Sequence, residues 1–140
     1  MMRSDRSMEI ILVIDDDADL RGLLARTLAS EGYLVHEAEN GRAGCELAEE
    51  LQPDVVLVDL WMPVQEGLQT IRRIHAMLPK AKIITMSGRP MLGGISLFRI
   101  ARREGANAAV AKPFSPYEMV KLVDDLIAGA PNAATNGSMA

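Results

Sequence analysis

The chain holds a single cysteine, Cys45, among 140 residues. That excludes an internal disulfide framework and a cysteine-rich zinc site, and leaves a small buried thiol as the plain reading. A basic excess is also missing. Nineteen acids against fifteen bases give a formal charge of −4, which argues against a nucleic-acid-binding chain. No apolar run nears the ~18 residues of a membrane span. The run behind the polar N-terminus, Ile10–Ile14, is short and stops at three aspartates, so it is no signal-peptide core. A cytoplasmic protein is expected. Hydrophobic residues make up 49% and charged residues 24%, as in an ordinary globular domain.

The order of patterns is strand, helix, five times over. Ile10–Ile14, Val55–Val58 and Ile83–Met86 are short apolar runs rich in β-branched residues, which fits strands buried on both faces. Tyr33–Val35 is a weaker run and fits an edge. Ala108–Ala111 is the fifth. Between them Leu20, Leu23, Leu24 and Leu28 recur at helical spacing, then Ala43, Leu47 and Leu51, then Leu68, Ile71 and Ile74. Gly32, Pro53 and Pro79 close these helices. Past a loop with Pro90, Gly93 and Gly94, Ile95, Phe98 and Ala101 mark one face of a fourth helix and Leu97 and Ile100 another. Its apolar surface reads as unusually broad. Ser115-Pro116-Tyr117-Glu118 is a capping box opening the fifth helix, which Gly129 ends. The expected layout is an N-terminal extension at 1–8, one domain at 9–128, and a disordered tail at 129–140.

Such alternation predicts an α/β fold: a five-stranded parallel sheet, doubly wound, with helices on both faces. Ligands of open sheets bind beyond the carboxyl ends of the strands. There the sequence puts Asp15-Asp16-Asp17, Asp59, Ser87 and Lys112. Each alone is commonplace, and Asp17 is best placed as a helix cap. Glu37 and Glu39 follow the weak strand and are expected to be remote. Together, however, converging carboxylates repel, and one lysine cannot neutralise three of them. A hard divalent cation with oxygen ligands can. A carboxylate flanked by a cation, an ammonium and a hydroxyl describes a phosphoryl-accepting site.

These segments resemble a known family. Ile11–Asp17 with Arg21, Val56–Pro63 with Gly67, Met86-Ser87-Gly88 and Lys112-Pro113-Phe114 resemble the four motifs of the bacterial two-component response-regulator receiver domain, of the single-domain chemotaxis type. The resemblance implies a flavodoxin-like strand order, 2-1-3-4-5. It implies Asp59 as phosphoacceptor, with Lys112 and Ser87 contacting the phosphoryl group. Mg²⁺ would be held by Asp16, Asp59 and the Trp61 backbone carbonyl, with Asp15 acting through water. A cis Lys112–Pro113 bond is implied too. The donor would be a sensor histidine kinase or a phosphotransfer protein. The chain would be no enzyme beyond its own self-phosphorylation and dephosphorylation.

Three departures stand out. Ala109 occupies a position where many members carry Tyr or Phe. Trp61 is bulkier than usual, and so suited to shield an acyl phosphate. The stretch from Ser87 to Gly105 is longer than in the compact type, which suggests a mobile approach to the fourth helix. With no second domain expected, output would go to a downstream partner or to self-association through helix four, strand five and helix five. Phe98 and Leu97 would carry that surface, with no direct nucleic-acid or membrane contact.

Other readings are weaker. An aspartyl-phosphate phosphatase would want a second aspartate two residues past Asp59, where Trp61 stands. A mononucleotide or flavin binder would want a Gly- or Ser/Thr-rich loop after strand one. A receiver-like adaptor that takes no phosphoryl group would not need the full set of Asp16, Asp59, Ser87 and Lys112. A receiver fragment of a larger regulator with an output domain remains open. His36 and His75 have no partner motif, and Arg72-Arg73 and Arg102-Arg103 read as solvated helix faces.

Overall fold

The computed structural model describes residues 8–62 and 64–129, with Val64 and Gln65 as backbone only. The expectations for residues 1–7, Pro63 and 130–140 lie outside the described residues.

Continuous apolar runs become strands here because helices cover both faces of the sheet. β1 (Ile10–Ile14), β3 (Val55–Asp59) and β4 (Lys82–Ser87) are buried over almost their whole length. β2 (Leu34–Ala38) flanks β1 as an edge, and β7 (Ala108–Ala111) closes the other side. All pairs in this sheet are parallel, in the order β2-β1-β3-β4-β7. That is the expected 2-1-3-4-5 order with two hairpin strands inserted before the last.

Side chains alternate across the strands, so the sheet has two cores. Leu12, Ile14, Val56 and Val58 pack on one face with Cys45 and Ala48 of α2 (Gly41–Leu51), Ile71 and Ile74 of α3 (Val64–Met77), and Leu97, Phe98 and Ala101 of α4 (Leu97–Glu104). Ile11, Val13, Val55 and Leu57 pack on the other with Leu24 and Leu28 of α1 (Ala18–Ser30), and Met119 and Val123 of α5 (Pro116–Ile127). No helix among the described residues is long and apolar enough to cross a membrane.

Helix starts follow the local chemistry. Asp17 caps α1, its Oδ1 accepting from the Asp19 and Leu20 amides at 3.0 and 3.2 Å. Ser115 and Glu118 form the reciprocal box at α5: Ser115 Oγ accepts from the Tyr117 amide, and Glu118 Oε1 from the Ser115 amide.

The segment before α4 departs from expectation. It is a β-hairpin, β5 (Met91–Leu92) with β6 (Ile95–Ser96), rather than an irregular loop. Gly93 and Gly94 turn it, both at positive φ of 55° and 85°. Two such residues in a row suit the tight hairpin turns whose twist matches the strands. Ile95 therefore belongs to the hairpin, and Ser96 caps α4, its Oγ accepting from the Arg99 amide. The broad apolar surface assigned to α4 is also corrected. Leu97 and Phe98 are buried at 2% and 1% exposure, because α4 is short and packs them into the sheet. A polar residue at 98 would cost on the order of 3–5 kcal/mol of folding energy, so Phe98 is a core residue and not a docking residue.

Candidate functional site

Every parallel strand ends at one edge of the sheet, and four of those ends converge. Asp15, one residue past β1, is fully buried, and Asp59, the last residue of β3, is 3% exposed. Asp16 beside them is exposed. Carboxylate oxygens of Asp15, Asp16 and Asp59 lie within 4.8 Å of one another. Lys112, just after β7, reaches in from the other side. Its Nζ donates to Asp15 Oδ2 at 3.1 Å and stands 3.5 Å from Asp59 Oδ1. The Lys112–Pro113 peptide bond is cis.

The surrounding backbone holds these groups still. The Asp17 amide donates to Asp15 Oδ1 at 2.9 Å, and the Trp61 amide to Asp59 Oδ1 at 3.2 Å. Arg21 braces the turn, its Nη1 donating to the Asp15 carbonyl at 2.7 Å and its Nε to Glu37 Oε1 at 3.0 Å. Glu37 is thus tied to Arg21 at the rim, apart from the acidic cluster, as its edge strand suggested. Gly67 in α3 lets the backbone after Asp59 come close. A Cβ there would sit 2.8 Å from the Asp59 carbonyl oxygen and from Leu60 Cα.

Burial pushes the Asp59 carboxyl up to about 6, with Asp15 adding to the rise and Lys112 opposing it. One ammonium therefore does not offset the crowding. The donor set is oxygen only, part exposed and short of positive charge, which is the chemistry that fits a hard divalent cation. The same arrangement leaves the Asp59 carboxyl beside an ammonium.

Ser87 ends β4 and is fully buried. Its Oγ accepts from the Arg89 amide at 2.9 Å. Trp61 meets the same residue: its Nε1–H donates to the Arg89 carbonyl at 3.0 Å, and the Arg89 guanidinium lies 4.8 Å from the ring centroid. Arg89 was not foreseen. Most of its links run through backbone atoms, so only its position two residues past Ser87 hinted at it. Ala109 is fully buried in the core beside β4, with no ring at that position.

A family model described as "Response regulator receiver domain" matches residues 11–124. The chemotaxis protein CheY of Thermotoga maritima is 36% identical over 115 residues, covering 81% of this chain and 93% of that one. Among solved structures, a CheY-like receiver domain protein from Methanospirillum hungatei superposes with a TM-score of 0.82 at 25% identity, covering 88% of this chain and 96% of that one. A response regulator from Burkholderia pseudomallei, described as carrying a phosphorylated aspartic acid and a calcium ion, superposes with a TM-score of 0.73 at 27% identity, covering 86% and 72%.

Proposed function

The chain belongs to the response regulator receiver domain family, and from that premise we propose that Asp59 is the residue that takes the phosphoryl group in a two-component relay. The observation that carries this reading is the position of Asp59: buried at a strand end, 3.5 Å from Lys112, and clustered with Asp15 and Asp16. Asp16 and Asp59, with the Trp61 carbonyl and with Asp15 through a water, would hold Mg²⁺, which when bound supplies positive charge to the phosphoryl oxygens.

The remaining work falls to side chains. At about 6, the Asp59 carboxyl is mostly ionised at neutral pH and able to attack. Its oxygen forms the new O–P bond in line as the N–P bond of a donor phosphohistidine breaks, and the electron pair leaves with the imidazole. Lys112 then donates to a phosphoryl oxygen. Ser87 Oγ accepts from the Arg89 amide in the unmodified chain, and as a hydroxyl it can turn its own proton to donate to the phosphoryl group. Hydrolysis of the acyl phosphate returns the site to its start. The chain performs no other catalysis in this reading, and it works in the cytoplasm.

The donor is a sensor histidine kinase or a phosphotransfer protein. Output goes to a protein partner or to self-association on the side of α4, β7 and α5. A small acyl-phosphate donor with Mg²⁺ tests the reading: one phosphoryl group should attach per chain, and chelation of the metal should abolish it.

A further inference from the structure

Three apolar side chains of the hairpin stand half exposed among the described residues. Met91, Leu92 and Ile95 are 52%, 48% and 54% exposed. The tight turn at Gly93-Gly94 holds them in register, Met91 opposite Ser96 and Leu92 opposite Ile95. Among the described residues β5 and β6 pair only with each other. A short, apolar, open-edged element of this kind is ordinarily a hazard that proteins blunt or use.

The charge around it has one sign. From Gly88 to Arg103 the sequence contains Arg89, Arg99, Arg102 and Arg103 and no acidic residue. All four arginines are exposed. None has an ion pair among the described residues, whereas Arg72 nearby is matched by Glu104 at 2.8 Å. Arg99, Arg102 and Arg103 fall at i, i+3 and i+4, so they share one face of α4. This is an unopposed basic surface on a chain whose formal charge is −4.

We propose that the β5–β6 hairpin and the arginine face of α4 dock an acidic segment of a partner protein, whose apolar side chains cover Met91, Leu92 and Ile95. Charge argues for this occupant over two others. A two-fold pairing of identical copies would set the same arginines against each other. An anionic bilayer would be repelled by the rest of this acidic chain, and three half-exposed side chains offer it little area. The surface is also wired to the site. Arg89 begins the arm of the hairpin, and it is held by Ser87 and by Trp61. The arm closes on α4 where the Leu97 amide donates to the Pro90 carbonyl at 2.8 Å. When Ser87 turns toward a phosphoryl group, the Arg89 amide loses its acceptor and the arm is released to shift. That coupling, though not the surface itself, rests on the reading of Asp59 as acceptor.

The test uses the full chain and a fluorescent synthetic peptide of alternating Asp and Leu, with an Asn/Leu peptide as control. Anisotropy is read before and after treatment with acyl phosphate and Mg²⁺, and the mass of the chain is followed in the same samples. The Asp/Leu peptide should bind about tenfold more tightly than the control and weaken with salt. Its affinity should change severalfold on phosphorylation. Met91→Ser with Ile95→Ser, and separately Arg102→Glu with Arg103→Glu, should each weaken binding about tenfold while phosphoryl uptake stays the same. Binding by both pairs of variants as tight as the parent's, or no binding by the parent, overturns the docking surface. Binding to phosphatidylglycerol vesicles in place of the peptide, or concentration-dependent dimers lost with the hairpin variants, overturns the choice of occupant. Peptide binding that persists without any phosphoryl uptake leaves the surface standing and sinks the acceptor reading instead.

Discussion

Trp61 and Arg89 hold each other twice, once by the indole N–H on the Arg89 carbonyl at 3.0 Å and once by the guanidinium over the ring at 4.8 Å. Trp61 also donates its backbone amide to Asp59. The only tryptophan of the chain therefore touches both the acidic cluster and the arm of the hairpin. Its emission should change when Mg²⁺ is titrated in and again on phosphorylation. Arg89→Ala should alter the emission of the unmodified chain while lowering stability by no more than about 1 kcal/mol, the worth of an exposed cation–π contact. Emission blind to both metal and phosphoryl group would place Trp61 away from the reacting centre.

Asp59→Asn should stabilise the metal-free chain. In the folded state its carboxyl sits at about 6, above the ordinary value near ~4 of an unfolded aspartate. The folded chain thus keeps a proton that the unfolded chain has lost. Stability then falls as pH rises from about 4 to about 6, and stays low above that. Removing the charge should recover on the order of 2 kcal/mol at neutral pH, allowing for screening at the open side of the site. Urea melts of both proteins at pH 4.5 and 7.5 check this. Equal slopes with pH would show that Asp59 is not the crowded group.

Lys112→Met should cost about 3 kcal/mol, because it strands the fully buried Asp15 carboxylate without its ammonium. Mg²⁺ should restore part of the loss by binding only the folded chain. Phosphoryl uptake should fall sharply even where the variant is folded. A variant with parent stability and no response to Mg²⁺ would contradict the shared electrostatics of the site.

Gly67→Ala probes the close approach of α3. The added methyl meets backbone at 2.8 Å, which cannot swing aside as a side chain would. Overpacking of this kind costs about 1–3 kcal/mol. Because the contact is with the Asp59 carbonyl, phosphoryl uptake should drop along with the melting temperature. Unchanged values for both would mean that α3 shifts freely.

Much of this was written in the chain, and the gaps have physical causes. β1 and β3 are buried on both faces, so their sequences are unbroken apolar runs, and their short length and β-branched residues mark them as strands. β2 is different: the run Tyr33–Val35 suggested it, but the strand is Leu34–Ala38. As an edge strand it exposes His36 and Glu37, and polar residues hid its second half. Tyr33 is buried for another reason, its hydroxyl meeting Asp124 of α5. The hairpin was missed because two-residue strands are too short to show a period. In the sequence Ile95 therefore reads as part of α4 and Leu97 and Phe98 as surface, whereas Ile95 lies in β6 and the short helix turns the other two inward. The acidic cluster was legible because side-chain type and strand end coincide. The linkage of Ser87, Trp61 and Arg89 was not, since it runs largely through main-chain atoms that leave no mark in the sequence.

The central claim is that Asp59, and no other carboxylate of the cluster, takes the phosphoryl group. The most direct measurement treats the chain with an acyl-phosphate donor and Mg²⁺ at native pH, reduces the product with borohydride, and maps the modified residue by peptide mass. Reduction converts an aspartyl phosphate to homoserine and so marks its position. The account predicts homoserine at 59, none at 15 or 16, and no modification at all in Asp59→Asn. Stoichiometric homoserine at Asp15 or Asp16 in the parent chain, or undiminished uptake by Asp59→Asn, would contradict it.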